Sequence, residues 1–461
     1  MKMHSGYKNI KKLILVVSYF TLSLGFLTLG LDVDYLTEYY FVYFGFIFVS
    51  GIYVLLSLST NIKIIDPITL VTFLYIMFFS IAPMIDIITN NTLFFGHFII
   101  GGTFKATFLY IVGYLFFVFG YSQRNYGSLF RYSHLKLENK NTIINVSLFL
   151  WFIGLVSSFI FLATMGHSVI YMLTFGQLGS VTNNNQLFGT QLGFLSMLTY
   201  AMVVPWLYLF LTLKNKLWII ILTTTTLSIY FVLGFRFIII IMVMAPIIFK
   251  YLHKKKDVSI RKILLLAPIL LVVFGIIGFV RGDLRRGNQV DLDGFSITDV
   301  WYTIESNFEI YKAFYRLTEM VPDQFDYTYG SQSLYTAIIL VPRVLWESKP
   351  DTPLRDLMEN VLGENAVVSG TAWPNIGEYY SEFGVIGVIM LSYFLGILMK
   401  KSTELIYGDR PSFHSVLAYS VIYPTYIQVV IRGYTPTNFW LLFMLLGPIV
   451  LLSKLKRKNS Y

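Results

Sequence analysis

Cysteine is absent from the 461 residues, so disulfides, thiolate metal sites and cysteine nucleophiles are excluded. Histidine is scarce, at six residues, and charged side chains make up 13%, where an ordinary soluble protein carries about 25%. That shortage of charge excludes a soluble globular protein. What fills the chain is apolar bulk: 56% of residues are hydrophobic, 18% are aromatic and the mean hydropathy is +0.66. Apolar runs recur from end to end, and runs of about 18 or more residues are long enough to cross a bilayer as helices.

The runs place spans at 13–31, 40–60, 68–88, 106–122, 142–165, 194–213, 217–234, 237–252, 263–280, 383–399, 413–431 and 437–453. They predict an all-α polytopic membrane protein of about twelve transmembrane helices. Nine spans fall in residues 1–280, a large outer loop in 281–382, and three further spans in 383–461. The first apolar stretch follows Lys11 and Lys12, exceeds the roughly 7–15 residues of a signal-peptide core, and precedes no small-x-small site, so it reads as a retained span.

The net charge of +10 and pI near 9.3 take their meaning from where the charges fall. With both termini in the cytoplasm, 24 of the 35 Lys and Arg lie inside and 20 of the 25 Asp and Glu lie outside. The inner face is then +19 and the outer face −9. The basic pI is a topology signal, and no nucleic-acid partner is needed to explain it.

The outer segment 281–382 far exceeds a connection of about 4–6 residues, and loops of that size are usually functional. Its Pro322, Pro342, Pro350, Pro353 and Pro374 predict several short helices and turns. The run 334–346 is too short to span and is expected to lie in the outer interface. The connection 166–191 has no charged side chain and is rich in Gly, Asn and Gln; that composition suits an uncharged polar ligand such as a sugar, and equally a plain polar loop.

The middles of the spans carry no ionisable residue, which argues against an ion-coupled transporter. The candidates for chemistry sit at the outer ends, where a basic residue runs against the positive-inside bias. Arg236 lies in the Gly234-Phe235-Arg236 turn, while Arg281-Gly282 and Arg432-Gly433 each end a span; Arg285 and Arg286 follow a turn later. Arginine presents a rigid, permanently charged fork that matches phosphate oxygens bidentately. Snorkelling to lipid headgroups is the simpler alternative for any one of them. The triplets Asp32-Val33-Asp34 and Asp291-Leu292-Asp293 read as solvated acids, so no metal or cofactor is expected, and His97 and His167 neighbour no carboxylate in sequence. Trp373, Tyr379 and Tyr380 are outer aromatics of the kind that stack on sugar rings.

The stretch Trp373-Pro374-Asn375-Ile376-Gly377-Glu378-Tyr379-Tyr380, continuing through Phe383-Gly384 and Gly387 into a span, resembles the re-entry segment of bacterial O-antigen and oligosaccharide repeat-unit polymerases of the Wzy type. The G-x-R turn at 234–236, Pro342-x-x-x-Trp346-x-x-Lys349-Pro350 and the outer Arg432-Gly433 agree with it in order. An Arg-x10-Gly signature of some members is absent.

The resemblance implies a glycosyltransferase of the bacterial inner membrane that joins undecaprenyl-pyrophosphate-linked oligosaccharide repeat units into a surface polysaccharide at the outer face. Its partners would be that lipid-linked oligosaccharide, membrane lipid and, in this family, a chain-length regulator protein. Catalysis must stabilise a departing pyrophosphate and deprotonate an acceptor hydroxyl, which calls for fixed cations and a carboxylate. The expected catalytic set is Arg236, Arg281, Arg432 and Glu378, the last as general base with Glu382 in reserve. Arg285, Arg286, Trp373, Tyr379 and Tyr380 are expected to bind substrate. An O-antigen ligase is one alternative, although residues 281–382 hold no histidine of the kind such ligases often use. A lipid-linked oligosaccharide flippase is another, although it would be expected to carry charges in a central cavity.

The topology is testable because the chain has no cysteine of its own. Single cysteines at Asn288 and Asp323 are expected to react with an impermeant thiol reagent from outside, and those at Asn139 and Lys255 to stay protected until the membrane is opened.

Overall fold

A computed structural model describes residues 2–30, 33–60, 62–123, 140–164, 194–233, 235–254, 308–342, 345–364, 366, 371–407 and 411–454. The helices run α1 (Lys2–Leu29), α2 (Leu36–Ser59), α3 (Pro67–Ile88), α4 (Thr103–Tyr121), α5 (Lys140–Thr164), α6 (Leu195–Thr212), α7 (Lys216–Val232) and α8 (Arg236–Lys254). Three shorter helices follow, α9 (Ile310–Met320), α10 (Ser331–Ile338) and α11 (Pro353–Leu362). The chain ends with α12 (Asn375–Tyr407), α13 (Phe413–Ile431) and α14 (Thr435–Ser453). Among the described residues the departure from an all-helical fold is a two-residue antiparallel pair, β1 (Leu93–Phe94) and β2 (His97–Phe98).

Eight of these helices are long and apolar enough to cross a membrane, so the chain is an integral membrane protein. Helices α1 and α7 contain shorter apolar stretches, and α13 occupies the place of the eleventh expected span without reaching the same hydropathy. The ninth expected span, 263–280, lies outside the described residues.

Local sequence accounts for the helix starts. Pro67 opens α3, where its missing N–H costs nothing. The Asn215 side chain accepts from the Leu217 amide at 3.0 Å, and Ser412 does the same for Ser415 at 3.1 Å. Within α3 the turn widens to a π-helix at Met77–Ile81. Pro83 explains it, because a proline ring clashes with the carbonyl four residues earlier unless that turn opens. Helix α12 breaks at Phe383 (φ −140, ψ 21) and Gly384 (φ 62, ψ −146), separating a first segment of two turns from the long remainder.

Helices α4 and α12 form the centre of the bundle. A Cβ on Gly120 would stand 2.1 Å from the carbonyl oxygen of Tyr393, so only glycine allows the two backbones this close. At one end of the bundle the Tyr423 hydroxyl donates to the Ile64 carbonyl at 3.0 Å and the Tyr407 hydroxyl donates to Asp66. The other end receives α9, α10 and α11.

Helix α9 is not a floating loop element. Tyr311, Ala313, Phe314, Tyr315 and Leu317 are buried, and the Phe314 ring meets Phe79 of α3 at 6.3 Å between centroids. Lys312 goes in with them: its side chain is fully buried and its Nζ lies 3.1 Å from Asp86 at the end of α3 and 3.0 Å from Glu309. Tyr311 donates its hydroxyl to Asp86, and Asn91 adds a bond at 3.2 Å. Burial first, and then the charge of Asp86, push the Tyr311 phenol well above its ordinary range, so it serves Asp86 as a neutral donor.

A buried charge held this way is costly to orphan. Replacing Lys312 with Met is expected to destabilise the protein by about 3–5 kcal/mol, because Asp86 is left buried without its cation. Adding Asp86→Asn is expected to recover part of the loss. Thermal unfolding midpoints of the purified single and double variants measure both effects.

Candidate functional site

The segment Trp373-Pro374-Asn375 leads the chain back into the bundle, and a second turn is pressed against it. Arg432 and Gly433 follow the last residue of α13. The Gly433 amide donates to the Trp373 carbonyl at 3.1 Å. A Cβ on Gly433 would sit 2.2 Å from the Asn375 Cα and 2.4 Å from its nitrogen; these are backbone atoms with nowhere to move, so the contact requires glycine. The Arg432 amide donates to the Gln428 carbonyl at 2.7 Å, and its own carbonyl accepts from the Tyr434 amide and Asn438 Nδ2, each at 3.0 Å. The backbone of Arg432 is therefore held on both sides.

Its side chain is exposed. The guanidinium carbon lies 5.5 Å from the centre of the Phe237 ring, a cation–π arrangement that favours one direction for the fork. Phe237 is the neighbour of Arg236, which begins α8. Helices α8 and α13 pack side by side, so two arginines nearly two hundred positions apart in sequence reach the same end of the bundle.

Beneath this turn lies Glu378. It is 1% exposed, with Oε1 accepting from the Thr435 amide at 2.6 Å and Oε2 accepting from the Thr435 hydroxyl at 3.0 Å. One helical turn on, Glu382 repeats the arrangement with Ser333 of α10: it is 1% exposed and accepts from the Ser333 amide and hydroxyl, both at 2.7 Å. Burial first, and then the nearby Tyr335 phenol, hold the Tyr434 hydroxyl above its ordinary range, so this neighbour of Thr435 stays protonated.

The profile of the family O-antigen polysaccharide polymerase Wzy matches residues 11–459, nearly the whole chain. The chain belongs to that family. No match was found among curated proteins or solved structures. Membership of the Wzy polymerases bears out the resemblance carried by the re-entry segment, and that segment is where the structure gathers Arg432, Gly433, Trp373 and Glu378.

The expected site residues fare differently. Arg432 lies over the ring of Phe237, the residue that follows Arg236 at the start of α8. Arg281, Arg285 and Arg286 lie outside the described residues, as do His167, the connection 166–191 and the triplet 291–293. Trp373, Tyr379 and Tyr380, expected as sugar-stacking platforms, are 0%, 8% and 1% exposed and pack inside the protein. Tyr380 donates to the Val321 carbonyl at 2.7 Å, and Lys105, which donates to the same carbonyl at 2.8 Å, lies 5.3 Å above its ring. These rings are structural here, because the chain folds back over them. Glu378, expected as the general base, is buried, with one oxygen accepting from the Thr435 amide and the other from its hydroxyl.

Thr435, Asn438, Phe237 and Ser333 were not singled out by sequence reasoning. A polar signal was present for two of them, since Thr435-Pro436-Thr437-Asn438 interrupts an otherwise apolar stretch directly after Arg432-Gly433. Phe237 and Ser333 had none.

Gly433→Ala tests the docking. The added methyl is expected to force the α13–α14 turn off Asn375, lower the unfolding midpoint and reduce polymer formation at least tenfold, an overpacking cost of about 1–3 kcal/mol or more. The measurements are thermal unfolding of the purified variant and glycan chain length in cells at matched protein level.

Proposed function

We propose that this protein joins repeat units carried on undecaprenyl pyrophosphate into a surface polysaccharide at the outer face of the bacterial inner membrane, and that Arg236 and Arg432 hold the pyrophosphate of the donor. The observation that carries the reading is the placement of Arg432 over Phe237, next to Arg236 at the start of α8, in a chain of this polymerase family. Their fixed planar forks suit phosphate oxygens better than a mobile ammonium does.

In the reaction, the oxygen of an acceptor sugar hydroxyl attacks the anomeric carbon of the donor chain. A carbon–oxygen bond forms there as the bond to the pyrophosphate breaks, and the electron pair leaves with the pyrophosphate. The acceptor proton passes to the departing phosphate oxygens. The arginines act where negative charge develops, so they bind the transition state more tightly than the ground state. Energy for the transfer is in the glycosyl pyrophosphate bond, which fits a compartment without nucleotide sugars.

Expected outcomes follow from the geometry of the fork. Arg432→Ala or Arg236→Ala is expected to cut polymer formation by about 100 to 1,000-fold, the range seen when one charge-stabilising donor is removed from a site. Arg→Lys at either position is expected to impair almost as severely, because a point charge cannot reproduce bidentate contact. Polymer of normal length from both Ala variants at normal protein level would overturn the assignment.

A further inference from the structure

Helix α14 begins with Thr435, yet it brings no cap of its own. The residue before it is Tyr434, which gives no side-chain hydrogen bond to the helix start, and Pro436 follows. The first amides of a helix have no partner within it and must find one elsewhere. Here the partner comes from another helix: the two oxygens of Glu378 take the amide and the hydroxyl of Thr435. Helix α10 repeats the case, because Gly330 before it has no side chain to offer, and Glu382 supplies the same pair of bonds at Ser333. Two carboxylates one turn apart on α12 therefore close the N-termini of two different helices.

We propose that Glu378 is a positioning residue for donor binding, which acts through Thr435 to set the place of Arg432. The path is short. Thr435 stands three residues after Arg432, the Tyr434 amide returns to the Arg432 carbonyl at 3.0 Å, and Asn438, on the first turn of α14, holds that same carbonyl at 3.0 Å. Fixing the start of α14 fixes both donors to the Arg432 backbone. A carboxyl group suits the task, since its two oxygens accept two bonds at once. The bidentate bond to Thr435 leaves Glu378 without an open face toward a sugar hydroxyl. The proposal rests on the reading of Arg432 as a pyrophosphate anchor.

The test uses the full chain reconstituted in lipid, with lipid-linked repeat units as substrate and hydrogen exchange of the α14 amides as a readout independent of activity. Glu378→Ala is expected to speed exchange at the 435, 437 and 438 amides and raise KM for the donor about tenfold, the effect of losing two hydrogen bonds. Glu378→Gln can still accept from the Thr435 amide and donate to its hydroxyl, so it is expected to rescue both protection and KM, with the pH profile of the rate unchanged. Glu382→Ala is expected to loosen the amides near Ser333 and leave those at 435–438 protected. Should Glu378→Ala fail to fold, Thr435→Val removes one bond only and is expected to give the same two changes in smaller measure.

Unchanged exchange at 435–438 in Glu378→Ala would overturn the cap itself. Fast exchange with wild-type KM would keep the cap but overturn its link to the donor, while the role given to Arg432 itself is decided separately by Arg432→Ala. A Gln variant as inactive as the Ala variant, with protection intact and the pH profile altered, would show that the carboxylate moves a proton and would overturn the positioning role.

Discussion

A helix that starts inside a protein must have its first amides satisfied by something other than water, and at α14 that something is the carboxylate of Glu378. Much of the arrangement at this end of the bundle depends on it. The start of α14 fixes the turn that carries Arg432, that turn is pressed on Trp373 and Asn375 through Gly433, and those residues open the helix on which Glu378 itself stands. The interaction closes a ring: each member holds the next, and the last holds the first.

The neighbouring α9 is held by a different device. Lys312 is buried against Asp86 and Glu309, and Tyr311 and Asn91 also donate to the Asp86 carboxylate. A buried ion pair contributes little net stability compared with an apolar replacement, but it tolerates only one arrangement. It locates a helix of the 281–382 segment precisely on the end of α3. Carboxylate caps and the buried pair together tie α9, α10 and α14 to α3 and α12.

The sequence was read most successfully where the argument concerned bulk properties. Apolar runs of membrane length are seen at eight helices, because a bilayer-spanning helix must satisfy its backbone internally and expose apolar side chains along its whole length, a demand written in every residue of the run. The re-entry segment around Trp373–Tyr380 was legible as a family signature. Its side chains were not legible as individuals. An aromatic before a span has the same appearance whether its ring faces a sugar or the interior, and Trp373, Tyr379 and Tyr380 turned inward because α9, α10 and the Arg432 turn cover them.

By itself the sequence determined that this is a helical membrane protein of the Wzy polymerase family. Those properties are sums over many residues or short contiguous motifs, and neither needs a partner from elsewhere in the chain. Only the tertiary structure decided what Arg432 and Glu378 touch. Arg432 lies over Phe237, and Glu378 is joined to Thr435 across a separation of 57 residues. Whether a carboxylate is a base or a cap depends on which donors reach its oxygens, and those donors come from helices that only packing brings into contact.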